Sequence, residues 1–165
     1  MVGAMLRPAP PPPDPAELTI KKVMLASEGR PFAHEVLVRA MELARPEHAS
    51  VFVMTIARVW GTGMGFPNPG LQPTRKEWDE QRLIARRAVE TLEKAGFTAT
   101  AMVLATRRAR KRILQEAKRR QIDAIIMGCD PSKGMLGDFA WSQEPQRVAR
   151  RSPIPVYLVP VPKRP

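Results

Sequence analysis

The chain has 165 residues and is strongly basic, with a formal net charge of +11 and a hydrophobic content of 44%. These values fit one globular domain with a sizeable core. No apolar run approaches the ~20 residues that a membrane span needs, and the start Met1–Leu6 runs directly into prolines, so we expect neither a membrane span nor a signal peptide. The single cysteine, Cys129, leaves no partner for an internal disulfide and favours a cytoplasmic protein.

Residues 1–19 are rich in proline and predict an arm outside the core, either an untethered tail or a ligand for a partner. Residues 20–162 then form the predicted domain, in which apolar runs typical of buried strands alternate with helical patterns. The predicted strands are Lys22–Ser27, Ala49–Val59, Phe97–Ala105, Ala124–Met127 and Val156–Val159. The predicted helices are 31–45, 74–95, 109–121 and one within 138–152. This alternation predicts an α/β fold: a doubly wound, five-stranded parallel sheet with helices on both faces.

The second helix and its flanks show this pattern most clearly. The stripe that includes Leu83, Ala88 and Leu92 predicts its buried face, and Gly96 is placed as a C-cap glycine. The segment Trp60–Pro73 before it is rich in glycine and proline and predicts a flexible loop.

Two candidate ligand contacts lie at predicted strand ends. Glu28-Gly29 follows the first strand, where a carboxylate can accept from a ribose hydroxyl or an adenine amine; a solvated turn residue is the alternative. Gly128 ends the fourth strand and is followed by Gly134 and Gly137, whose backbone amides can hold phosphates together with the next helix N-terminus. The spacing is not that of a Walker loop.

Other site chemistry has little support in the sequence. Gly61-Thr62-Gly63-Met64-Gly65 lacks the last glycine of a dinucleotide fingerprint. His34, His48 and Cys129 are not at metal-ligand spacing, and no serine has a plausible base. We therefore predict no metal site and no catalytic residue.

A dense basic run follows the third predicted strand. Its leading members, Arg107, Arg108, Lys111 and Arg112, are candidates for contact with nucleotide phosphates, an acidic protein or a nucleic acid. The alternative is a solvated helix face. No aromatic residues are interleaved for base stacking.

The region Ile20–Pro160 resembles the universal stress protein family. The resemblance is carried by the opening strand with its acid-glycine turn (22–29), by Asp-Ala-Ile-Ile-Met-Gly (123–128) and by the closing segment 147–159. It implies a five-stranded parallel sheet with four helices, no enzymatic activity, a role in stress response, and a homodimer formed through Val156–Val159.

The resemblance also implies an adenine-nucleotide site, with ATP as the common family ligand, but the family's motif is incomplete here. Gly128 matches its first glycine, Pro131 stands in place of the second, and the final Gly-Ser/Thr pair falls at Trp141-Ser142 or Ser142-Gln143. Glu28 replaces the family's adenine-contacting aspartate. The implied contact residues are Ala26, Ser27, Glu28, Ile56, Met127, Gly128, Gly134, Gly137, Ser142 and Gln143.

Three residues are expected to lower the affinity for ATP. Pro131 and Pro145 lack amide donors that a phosphate would use, and Glu144 places negative charge in the first turn of the fourth helix. We therefore expect a regulatory, non-enzymatic protein with weak or altered nucleotide binding. The alternative is a basic interaction module that uses residues 107–120.

Overall fold

The computed structural model describes residues 20–45, 49–58, 62–63, 66–67, 72–130 and 143–161. Strands and helices alternate along the chain as predicted. In chain order the elements are β1 (Lys22–Ser27), α1 (His34–Ala44), β2 (Ser50–Arg58), β3 (Thr62–Gly63), β4 (Phe66–Pro67), α2 (Arg75–Lys94), β5 (Thr98–Thr106), α3 (Ala109–Arg119), β6 (Ala124–Cys129), α4 (Glu144–Arg151) and β7 (Val156–Pro160).

Five of the strands form one parallel sheet in the order β5-β2-β1-β6-β7. The central strand β1 pairs with β2 on one side and with β6 on the other. Asp123 fixes the start of β6 against β1, because its carboxylate accepts from the amides of Lys21 and Lys22, both at 2.8 Å. The predicted α/β fold is confirmed.

The helices cover both faces of the sheet, as the continuous apolar strands require. Alternate strand residues such as Leu25 and Val53 pack with α1 and α2, and the intervening Met24 and Met54 pack with α3 and α4. All four of these strand side chains are fully buried. Among the described residues, the charged side chains of the helices therefore lie mainly on the outer helix faces.

The long helix α2 begins with a capping box, in which Thr74 and Glu77 satisfy each other's backbone amides. Its predicted core stripe was partly wrong. Leu83 is 43% exposed, whereas Gln81 is buried beside Ala85, Ala88 and Leu92. The predicted role of Gly96 is confirmed, since it ends the helix at a φ of +87°.

Two predictions fall on parts of the chain where the description is incomplete. The proline-rich arm 1–19 lies outside the described residues. Within the predicted loop Trp60–Pro73, β3 and β4 form a short antiparallel pair, so that segment is not wholly a loop.

Over the described ranges, none of the helices combines the length and the apolar composition that crossing a bilayer demands.

Candidate functional site: a crevice at the carboxyl edge of the sheet

The strand order identifies one point at which the connections that follow two neighbouring strands lead to opposite faces of the sheet. From β1 the chain builds outward to β2 and β5, and then crosses to the other side for β6 and β7. The loop after β1 leads to α1 on one face, while α4, which follows β6, packs on the other. Ligands of open α/β sheets bind at such a switch point, outside the carboxyl ends of the strands. The ends of β1 and β6 therefore frame the candidate site.

The turn after β1 is tightly built. The hydroxyl of Ser27 donates to the carbonyl of Arg30 at 2.6 Å and accepts from the amide of Gly29 at 3.2 Å. Gly29 has a φ of +114°, and a Cβ there would lie 2.9 Å from the carbonyl oxygen of Ile56, so only glycine fits. The buried Gln81 side chain donates to the Gly29 carbonyl at 2.9 Å, which ties α2 to the turn.

The acid of this turn carries its own counter-charge. Glu28 is 3% exposed, and its carboxylate is paired with the guanidinium of Arg30, whose side chain is about one-third exposed. On the β6 side of the crevice, burial raises the pKa of the Cys129 thiol, Arg30 lowers it and Asp130 raises it. The charge of Arg30 therefore acts on both sides of the switch point.

The end of β6 is shaped by packing. A Cβ on Gly128 would lie 3.1 Å from a methyl of Val161 and 3.2 Å from a methyl of Val36. This tightness explains why a glycine stands at this position without invoking a ligand. The predicted reason, close approach of the backbone to a bound molecule, is therefore not needed to explain Gly128.

The first residue of α4 is an acid that reaches the start of the neighbouring helix α3. One oxygen of Glu144 accepts from the backbone amide of Arg110 in the first turn of α3 at 3.2 Å, and the other accepts from the Arg147 side chain, also at 3.2 Å. Pro145 in the first turn of α4 is buried and has no amide hydrogen. Pro145 thus removes one amide at the start of α4, and Glu144 satisfies one amide at the start of α3; both are places where a phosphate could otherwise bind.

The other predicted contact residues fall into three groups. The side chains of Ala26, Ile56 and Met127 lie in the core that faces α3 and α4. Gly134, Gly137 and Ser142 lie outside the described residues, together with Pro131. Gln143 is exposed and stands at the N-cap of α4.

The basic run begins at the edge of the sheet, two strands away from β1. Arg107 and Arg108 follow β5, an edge strand, and β2 lies between β5 and β1. Both arginines are exposed. Contact with the crevice region comes instead through the first turn of α3, where the Arg110 amide meets Glu144.

Three residues of this region were missed by sequence reasoning. Arg30 follows the acid-glycine pair by one residue, and this proximity to Glu28 was the only available signal. Gln81 lies four residues before Ala85 on the buried stripe of α2, and nothing in the sequence indicated that this polar side chain is buried. Thr55 stands opposite Ser27 in the β1–β2 register; its hydroxyl and the Gln81 carbonyl are buried and lack partners among the described residues.

Fold and strand order together define a doubly wound α/β protein with a crevice at the switch point of its sheet. A family model described as the universal stress protein family matches residues 19–160. The chain belongs to the universal stress protein family. No curated protein matched the chain.

Several solved structures share this fold. A universal stress protein from Burkholderia pseudomallei is 19% identical, with 87% of this chain and 98% of that chain covered and a TM-score of 0.63. One from Archaeoglobus fulgidus in complex with dAMP is 17% identical, with coverages of 86% and 98% and a TM-score of 0.62. One from Arabidopsis thaliana with AMP bound is 13% identical, with coverages of 86% and 92% and a TM-score of 0.58.

Proposed function

We propose that the chain is a cytoplasmic, non-enzymatic regulatory protein that binds an adenine nucleotide weakly in the crevice between Glu28 and Gly128. The observation that carries the proposal is the buried Glu28 carboxylate at the end of β1, held by Arg30 at the switch point of the sheet. Its support is membership of the family and the AMP and dAMP complexes of two structural neighbours. No chemical step is assigned to the chain.

The β1 turn fits the nucleoside end of such a ligand. A carboxylate at this position can accept from a ribose hydroxyl or an adenine amine. Arg30 competes for the same carboxylate, which reduces its strength as an acceptor for the ligand. Nucleoside binding at this end is therefore expected to be weaker than at an unpaired acid.

The start of α4 fits extra phosphates poorly. Glu144 already accepts from one amide at the start of α3, and its negative charge repels an approaching phosphate. Pro145 supplies no donor. We therefore expect AMP to be a better ligand than ATP, because the added phosphates gain little and meet an acid.

Calorimetric titration with AMP tests the proposal at Glu28. Glu28→Gln keeps the shape of the side chain but removes the charge, and we expect about fivefold weaker binding, as when a charged acceptor becomes neutral. Glu42→Gln on the exposed face of α1 is the matched control and should bind AMP like the parent. An absence of AMP binding at millimolar concentration, or equal affinities for the parent and Glu28→Gln, would refute the assigned site.

The second proposal concerns the oligomeric state of the protein. We infer that two copies pair through β7, which is an edge strand with one unpaired side in the sheet of a single chain. A groove of about 390 Å³ runs beside it, lined by α1 residues that include Val38 and Arg39 and by Leu158, Val159 and Pro160. Family relationship and an open strand edge next to half-buried apolar side chains both favour this pairing.

Sedimentation velocity over a range of protein concentrations tests the pairing. Val159→Lys should convert the dimer to a monomer, because it places a charge in the half-buried apolar groove beside the pairing edge. Thr100→Lys, on the opposite edge strand β5, is the matched control and should leave the dimer intact. A monomeric parent protein, or a dimer lost only with Thr100→Lys, would refute the use of β7.

A further inference from the structure

The two helix layers of the protein differ sharply in charge. Helices α1 and α2 together carry seven arginines and lysines against seven glutamates and aspartates, whereas α3 and α4 carry eight against two. Because α3 and α4 pack on the same side of the sheet and contact each other, their charges combine into one surface. We call this surface the α3–α4 face. It adds α4 to the basic run that the sequence identified at 107–120.

Both acids of the α3–α4 face are used internally. Glu116 is buried and pairs with Arg119 and Arg120 at 3.1 and 3.4 Å. Glu144 is taken by Arg147 and by an α3 amide. These carboxylates therefore leave most of the positive charge of the face unneutralised.

The remaining cations of the face point into solvent. Five exposed side chains have no carboxylate of the described residues within ion-pair distance: Arg110, Lys111, Lys118, Arg150 and Arg151. The eleven residues of α3 span about 16 Å, and a duplex carries one phosphate per ~3.4 Å of each strand. The face thus has the length to contact about five successive phosphates.

The surface chemistry favours phosphate over a protein partner. Protein interfaces are anchored by large apolar or aromatic side chains at their centre. In the described part of the chain the large apolar residue with high exposure is Leu83, and it lies on α2, on the other side of the sheet. Six of the eight cations on α3 and α4 are arginines, whose planar donors match phosphate oxygens.

We propose that the α3–α4 face binds the phosphate backbone of double-stranded nucleic acid without reading its sequence. The arginines and lysines of both helices contact phosphates, and the lack of exposed aromatic residues on α3 and α4 leaves no platform for stacked bases. Among the five cations, Arg110 meets the crevice region through its backbone amide and not through its charged group.

Fluorescence anisotropy with 20-base-pair DNA and RNA duplexes of two unrelated sequences tests the proposal. We expect similar affinities for both sequences and a slope of log K against log salt near −4 to −5, for about five phosphates. The triple variant Lys111→Glu, Lys118→Glu, Arg150→Glu should bind at least about tenfold more weakly and reduce the slope by about three. The matched control reverses Lys76, Arg86 and Lys94, which are exposed on α2, and should bind like the parent.

Four outcomes would overturn the proposal: salt-insensitive binding, equal affinities of the parent and the triple variant, equal losses in the triple variant and its control, and binding to phosphatidylserine vesicles without binding to either duplex. The last outcome would assign the face to an anionic membrane surface. Thermal unfolding of all variants establishes that they fold. If the charge reversal unfolds the chain, the same three positions changed to glutamine should still reduce the salt slope by about three.

Discussion

The two sides of the crevice each carry an acid, but the acids have different partners. On the β1 side an acid, Glu28, is buried and is held by a cation of the same turn, Arg30. On the α4 side the helix starts attract an anion, and the chain supplies one as Glu144. In the proposed site the first side keeps a group that a nucleoside can use, whereas the second presents an acid where a phosphate would otherwise be attracted. The effect of a charged residue on ligand binding therefore depends on the partners that the chain itself provides for it.

The largest expected effect comes from breaking the β1 side at Gly29. Gly29→Ala should lower the free energy of unfolding by about 2–4 kcal/mol, because it adds a clash with the Ile56 carbonyl to the cost of a positive φ. Gly96→Ala is the control: its φ of +87° is similar but a Cβ meets nothing within 4 Å, so we expect a loss of only about 1 kcal/mol. Urea unfolding measures both, and equal losses would show that the clash is relieved by small shifts.

Removing Arg30 tests how the β1 side of the crevice affects the choice between AMP and adenosine. Arg30→Met frees the Glu28 carboxylate for the nucleoside and removes the positive charge of Arg30 from the crevice. The preference for AMP over adenosine should therefore fall by about tenfold, which corresponds to the lower end of a charge-assisted hydrogen bond. Calorimetry with both ligands measures the ratio, and Arg86→Met on α2 is the control. An unchanged ratio would mean that Arg30 does not face the ligand.

The β6 side can be tested through Gly128. Gly128→Ala should lower the free energy of unfolding by about 1 kcal/mol, at the lower end of the cost of overpacking, because the new methyl presses on Val36 and Val161. Val161→Ala added to Gly128→Ala should recover part of the loss. If the second change gave no recovery in chemical denaturation, the glycine would be required for a reason other than packing.

Sequence patterns predicted the elements well where burial dictates them. The strand Lys22–Ser27 was predicted with the bounds that it has, since a strand buried on both faces reads as a continuous apolar run. Gly96 was predicted because its role depends only on the helix that it ends. On the amphipathic α2, however, Leu83 was assigned to the core and Gln81 was overlooked, because the buried stripe is narrower than its apolar residues suggest.

The site was less accessible to sequence reasoning than the fold. The pairing of Glu28 with Arg30 depends on the shape of a turn, and the contact of Glu144 with the Arg110 amide joins residues 34 positions apart. The α3–α4 face likewise appears only when two helices distant in sequence are placed side by side. Local patterns carry no direct information on such contacts.

The smallest effect is expected at Cys129. Burial raises the pKa of its thiol and Arg30 lowers it, so the thiolate is scarcer at pH 8 than in the unfolded chain, and iodoacetamide should react more slowly with the folded protein. Arg30→Met should slow the reaction further, because it removes the lowering effect. Since the folded pKa is the higher one, the stability tied to this thiol is present below the unfolded pKa and is lost as pH rises through the folded value. Faster alkylation in Arg30→Met would contradict this electrostatic account.

The most direct test of the central claim is a calorimetric comparison of AMP and ATP binding to the parent protein and to Glu144→Gln. We expect the parent to bind AMP at least as tightly as ATP. We also expect Glu144→Gln to raise the affinity for ATP relative to AMP by about two- to fivefold, the size of a charge effect at a helix start. Micromolar binding of ATP that is tighter than that of AMP, unchanged in Glu144→Gln, would contradict the claim that the chain fills the phosphate side of its own crevice.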